Sequence, residues 1–364
     1  MIKTSFVIPV YNRKKHIINT LEALNYQDGH DKNDYEVIVV DDGSDDNLYE
    51  SIKGVNTNYH LKYFYLKKDE NSCLSKARNH GWKNAAGEKI AFIDCDIIVR
   101  RNYLNEVDRF YNAEKDLLLM GLRLMLQEEV TLESIRNERV FDQWQFKGDN
   151  FELCEHKYHL LNQYSYNISA LKHPWFKVFG NNLVIPRTWL EKTGGFDEQY
   201  KGWGTEDVDL GYKAYASGIK IYINSRLEVL HQYHGEGSDI IGADKYLEYE
   251  RNINYFIDKH PHAFELPRDF IIDLFKGKAD IYLSVAEEKP VSRKKIDFKD
   301  RNSLEEVKEL ILRLSAEKRM EIIVNDYVEN TDLDLWIQLL GRRNSTPKYF
   351  PISKIFKTVA GNDH

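Results

Sequence analysis

The first hundred residues alternate short apolar runs with amphipathic stretches, the pattern that builds a mostly parallel sheet covered by helices. Thr4–Val10 reads as a strand, and Lys14–Leu24 as a helix with Ile17, Ile18, Leu21 and Leu24 on its inner face. The cycle repeats with a nearly continuous apolar strand over residues 35–40, another over 59–66, a helix over 72–84 and a fourth strand at Lys89–Ile93. Past Arg101 the pattern predicts a helix through Tyr111 and an apolar run over 117–126, then a polar and aromatic stretch to about His173 that assigns no element. Order returns with a strand over 181–185, a helix over Glu206–Ala216 and two short strands ending near His231. From about residue 262 charged helix formers dominate. Ser303 with Glu306 reads as a capping box opening a helix whose inner side carries Leu304, Val307, Ile311 and Leu314.

A chain of 364 residues exceeds one small domain, so the pattern divides into residues 1–100, 101–261 and a mainly helical accessory region at 262–364. With 42% hydrophobic and 30% charged residues, the composition is that of a folded globular protein. A net charge of -7 disfavours nucleic acid as a partner. The start of the chain does not read as a signal peptide, and no apolar run reaches the length of a membrane span. Three cysteines, Cys73, Cys95 and Cys154, lack metal or disulfide spacing, so a reducing cytoplasm is the expected setting.

Four runs carry candidate chemistry. The strand at 35–40 ends in Asp41, Asp42, Gly43 and Ser44, where open sheets bind ligands, and Pro9, Tyr11 and Asn12 end the first strand in the same way. The acids there either grip a ligand or form a turn and cap the next helix, and Tyr11 either stacks on a base or covers the sheet edge. The second run is Asp94, Cys95, Asp96. If the strand continues, Asp94 and Asp96 share one side while Cys95 turns to the other. Such paired carboxylates suit magnesium or manganese, or else mark a solvated turn. In the third run Gly202 and Gly204 flank Trp203, which could offer a sugar its flat face. Thr205 resembles an N-cap for a helix whose first turn holds Glu206 and Asp207. These two are the candidate catalytic acids, Asp207 as general base, although acids also favour helix starts for electrostatic reasons alone. The fourth run holds His231 and His234, of which His231 is the preferred metal ligand.

Together these runs resemble the family 2 glycosyltransferases of the GT-A fold, with a galactosyltransferase-type segment over the third run, across roughly residues 3–260. The resemblance rests on Val7 to Asn12, Val40 to Ser44, Ala77, Arg78 and Asn79 with Gly81, the Asp94 and Asp96 pair, Gly194 to Asp197 and Gly202 to Asp207. It implies an α/β fold with a nucleotide-sugar half and an acceptor half, and a UDP-sugar donor clamped through Mn2+ or Mg2+. It also implies a donor site of Pro9, Tyr11, Asn12, Asp41, Asp42, Arg78, Asp94, Cys95, Asp96 and Trp203, with Asp96 the principal metal ligand, Asp94 assisting and His231 completing the set. Similar retaining polypeptide transferases carry asparagine where this chain has Asp207, so the acid implies inversion. The acceptor stays open among saccharide, lipid-linked saccharide, peptide and small natural product. The region after 262 is left to hold the acceptor, to dimerise or to touch a membrane peripherally. Two rivals are a nucleotidyltransferase, disfavoured because residues 11–15 lack the glycine a triphosphate loop needs, and a catalytically silent sugar-nucleotide scaffold, disfavoured because the candidate acids are all present.

Overall fold

The computed structural model describes residues 2–142, 161, 164, 166–235, 243–283, 290–341 and 343–351, so Cys154 lies outside the described residues. Eight strands form the main sheet: β1 (Thr4–Val10), β2 (Tyr35–Asp41), β3 (His60–Tyr65), β4 (Lys89–Ile93), β5 (Ile97–Val99), β6 (Leu117–Met125), β7 (Asn182–Pro186) and β8 (Lys220–His231). Their order is β3-β2-β1-β4-β7-β6-β8-β5. The β1, β2, β3 and β4 pairings are parallel, as is β6 with β8, whereas β7 runs antiparallel to both neighbours and β5 antiparallel to β8.

Alternation along β1 explains the two layers. Val7 faces one buried cluster while Phe6, Ile8 and Val10 face the other, and both faces are dry. Helix α1 (Lys14–Leu24) covers the second face with Ile17, Leu21 and Leu24, as its periodicity predicts. Helix α2 (Leu48–Ile52) adds two more buried residues there, and α3 (Leu74–Lys83) covers the opposite face with Ala77 and Trp82. A β-carbon at Gly81 would lie 2.3 Å from Val7 Cγ1, so only glycine lets α3 approach β1 this closely. Sequence order reverses at β1, since β2 lies on one side of it and β4 on the other. The crevice beyond the carboxyl ends of these three strands is therefore the topological switch point.

Four expectations need correction. The two short strands before His231 are one strand, β8, held against β6 across an irregularity at Gly121, where a β-carbon would meet Leu227 O at 2.0 Å. The main core does not end at 261. Ile271, Leu274, Phe275 and Leu283 belong to the same buried cluster as Trp175 and Phe256, because an aromatic layer of Trp175, Phe176, Phe264 and Phe275 continues across that boundary. The accessory region is not simply helical either. It holds a parallel three-stranded sheet, β11-β10-β9, from β9 (Ser292–Phe298), β10 (Met320–Asp326) and β11 (Lys348–Pro351), joined by helices Leu304–Ser315 and Thr331–Leu339. β9 escapes a hydrophobicity reading because only Ile296 and Phe298 of its seven residues are buried. The capping box also fails: Ser303 Oγ donates to Asp300 O instead of capping, although Val307, Ile311 and Leu314 are buried as expected.

Candidate active site

At the end of β1, Tyr11 is 48% exposed, and Lys68 Nζ sits 4.2 Å above its ring while donating to Asp42 Oδ2 at 2.7 Å. The other oxygen, Asp42 Oδ1, is buried without a hydrogen-bond partner among the described residues. Asp41 differs: Oδ1 accepts from Ser44 N at 2.7 Å and Oδ2 from Tyr63 Oη at 2.5 Å. It therefore builds the turn, one of the two alternatives open for it. Asn12 is also occupied. At a left-handed φ of 50°, its amide accepts Asp45 N while its own N–H donates to Ser44 Oγ, which ties the two strand ends together. Pro9 is buried within β1. Gly43 has φ 85°, and a β-carbon there would lie 2.8 Å from Lys68 N, so this turn admits only glycine.

Residues 94–96 form a turn between β4 and β5 rather than a continued strand, and the two aspartates part company. Asp94 Oδ1 accepts from Arg78 Nη2 at 3.1 Å. Asp96 Oδ2 instead lies 3.5 Å from His231 Nε2 and 3.0 Å from His234 Nε2, while Asp96 Oδ1 is buried without a hydrogen-bond partner among the described residues. One ligand atom from each of Asp96, His231 and His234 falls within 4.8 Å of the others, a set that leaves Asp94 out. The choice of His231 over His234 thus dissolves, since both converge. Burial would raise the Asp96 pKa, but the His234 and His231 imidazoles hold it below the usual value. Cys95 is corrected as a donor-site side chain. It packs in the buried cluster beneath α1, and burial pushes its thiol far up, because the turn directs it away from the crevice.

The galactosyltransferase-type run arrives from the other half of the sheet. Gly202 and Gly204 have φ 72° and 87°, and between them Trp203 is 42% exposed with its ring 5.0 Å from Tyr249. Thr205 is not a side-chain cap: at φ 80° its hydroxyl is buried without a partner among the described residues, a strained non-glycine position of the kind found at functional sites. Asp207 Oδ2 accepts from Gly180 N at 3.2 Å and Oδ1 from Val208 N at 2.8 Å. Glu206 Oε1 accepts from Arg78 Nη1 at 3.0 Å. Burial, then the neighbouring Asp207 charge, pushes Glu206 up to about 7, and burial likewise raises Asp207. Arg78 is 2% exposed, and its Nη2 also reaches Gly180 O at 3.3 Å.

The sequence reading missed the residues that hold these groups in place. Gln232, between the two histidines, donates from Nε2 to His16 O at 3.0 Å, accepts from Asn19 Nδ2 at 2.7 Å and donates its backbone N–H to Asp96 O at 2.9 Å. Asn79 clamps Phe196 through both its amide groups, and Asn252 Nδ2 lies within 3.2 Å of the Lys201, Trp203 and Gly204 carbonyls. The His231 and His234 spacing was the one visible signal; the other partners lie too far apart in the chain for a motif to reveal them.

Comparison with known proteins agrees with this layout. The model of glycosyl transferase family 2 matches residues 5–177, and that of the N-terminal domain of galactosyltransferase matches residues 163–235. The chain is 23% identical over 286 residues to the uncharacterized glycosyltransferase YfnE of Bacillus subtilis (strain 168), covering 71% of each. It is 27% identical over 271 residues to validoxylamine A glucosyltransferase of Streptomyces hygroscopicus subsp. limoneus, covering 71% of this chain and 56% of that protein. Its fold is similar to S. aureus TarS 1-349 in complex with UDP-GlcNAc, with a TM-score of 0.50 and 21% identity over 78% of this chain and 74% of the other. Motifs in this order, both matches in succession and the shared fold lead to one conclusion: this chain is a glycosyltransferase of family 2, with the GT-A fold.

Proposed function

We propose that this enzyme moves a sugar from a UDP-sugar donor to an acceptor nucleophile with inversion at the anomeric carbon, in a reaction that needs a divalent cation. The observation that carries the reading is the convergence of Asp96, His231 and His234, with Asp96 Oδ1 buried and lacking a hydrogen-bond partner among the described residues. One hard oxygen donor and two imidazole nitrogens fit a divalent cation. Because imidazoles suit borderline metals better than magnesium, the set favours Mn2+ over Mg2+. Such an ion, when bound, offsets the charge that grows on the departing diphosphate.

The chain's own groups do the rest. The exposed Tyr11 ring stacks on the base and Asp42 Oδ1 accepts from a ring N–H, while Lys68 holds both in place. A related fold holding UDP-GlcNAc in S. aureus TarS supports UDP as the nucleotide. Trp203 offers its face to a sugar at the rim. Asp207, held by the Gly180 and Val208 amides, accepts the proton of the acceptor as it attacks from the face opposite the leaving group.

Calorimetry with UDP and turnover assays over a panel of UDP-sugars, with and without Mn2+, test the reading. Asp207→Asn should keep UDP affinity while losing at least about 100-fold in turnover, and Asp96→Ala should lose Mn2+-dependent UDP binding. Wild-type turnover in the first variant would remove Asp207 from the mechanism, and unchanged UDP affinity in the second would remove the metal site.

A further inference from the structure

Arg78 donates to two of the site's carboxylates from a buried guanidinium. Nη1 donates to Glu206 Oε1 at 3.0 Å, and Nη2 donates to Asp94 Oδ1 at 3.1 Å and to Gly180 O at 3.3 Å, all at 2% exposure. We propose that Arg78 is a positioning residue that braces the catalytic acids against the Asp94 turn, and not a ligand of the donor diphosphate. This inference rests on the reading of Asp207 as base.

The geometry forms a strut through the site. α3 carries Arg78 from the donor half, while Glu206 and Asp207 open a helix of the acceptor half. Gly180 links the two: its carbonyl accepts from Arg78 and its N–H donates to Asp207 Oδ2. A β-carbon at Gly180 would lie 2.7 Å from Arg78 Nη1, so the guanidinium fills the space a side chain would need. To reach a phosphate, Arg78 would have to give up the buried Glu206 carboxylate as well as the half-buried Asp94, and parting a buried charge from its partner is costly. With the brace in place, Glu206 is fixed from one side, and the backbone amide that orients Asp207 is fixed from the other. A misplacement of about 1 Å at such a base lowers the rate on the order of 100-fold without touching donor binding.

The test separates kcat from donor affinity in the full-length protein. Arg78→Met is expected to lose on the order of 100-fold in kcat, with the Kd for UDP in the presence of Mn2+ changed less than about twofold. Arg78→Lys should recover part of that loss, because the charge returns without the fork. Gly180→Ala keeps the charge and displaces the guanidinium, so it should show the same split; with Arg78→Lys it carries the test if Arg78→Met does not fold. The Arg78→Met and Glu206→Gln effects should be non-additive. A Kd for UDP raised tenfold or more, with kcat at saturating donor within twofold of wild type, would make Arg78 a donor ligand and overturn the proposal. Failure of wild-type protein to bind UDP with Mn2+ would be a different result: it sinks the donor assignment and this inference with it.

Discussion

Glu206 and Asp207 sit side by side at a buried helix start, and the environment raises both, burial first and mutual repulsion second for Glu206. A general base must be ionised, so protonation on the acid side removes it. The acid limb of kcat/KM is therefore expected above the ordinary carboxylate value of about 4, with the rate rising as pH increases through it. A profile flat down to about pH 5 would show that neither acid acts as base. This pair and exposed Trp203 were legible because they fall in one short run of adjacent residues. Lys68 and Asn252 were not, since they act on partners 26 and 49 residues away. Asp94 misled for a related reason. Strand alternation places it on the same side as Asp96, but the chain turns at 94 and Arg78, 16 residues back, takes it.

At the scale of elements, the Glu206–Ala216 helix is anchored by Asp209, which is 0% exposed. Its Oδ1 accepts from Lys259 Nζ at 2.7 Å, His260 Nε2 at 2.7 Å and Tyr200 Oη at 3.2 Å, and Lys213 Nζ lies 3.0 Å from Oδ2. Lys259 and His260 end the Ala243–Lys259 helix or follow it directly, so one carboxylate ties together the two helices that frame Trp203. Burial alone would raise its pKa, but His260 and the two lysines hold it well below the usual value. A group depressed in the folded state stabilises above its unfolded pKa and loses that contribution as pH falls through the folded value. Acid unfolding should therefore set in below about pH 4. Asp209→Asn, which removes the charge facing Lys213 and His260 and leaves Lys259 to Asp197, should cost about 2 kcal/mol in denaturant melts at pH 7 and flatten that acid dependence. An unchanged melt would reduce the network to decoration. None of this shows in the amphipathic pattern, which marks Asp209 as a polar position near a helix start. The pattern did reveal β1, α1, β2 and the helix itself, because each buries a continuous or periodic apolar face.

Across the whole molecule, the accessory α/β unit has its own small core of Ile296, Phe298, Ile311, Ile322 and Val324, yet it also docks on the main sheet. The Thr331–Leu339 helix faces two ways. Leu333 and Ile337 enter the small core, while Leu335 and Leu339 pack against the main cluster beneath β8. Asp334 Oδ2 accepts from Arg226 Nε at 3.0 Å, and Thr331 O accepts from Arg109 Nη1 at 2.9 Å. A helix apolar on both sides reads as ambiguous in sequence, and the weakly apolar β9 hides the sheet, so the unit reads as mainly helical. Charge-assisted bonds of this kind contribute about 2 kcal/mol, so Asp334→Ala should loosen the docking without dissolving either core. Amide exchange reads the difference: protection of β9 and β10 should fall while that of β1 and β2 holds, because opening at the junction is local. Equal loss in both sheets would mean that the two cores unfold as one, and that the accessory unit is part of the catalytic fold itself.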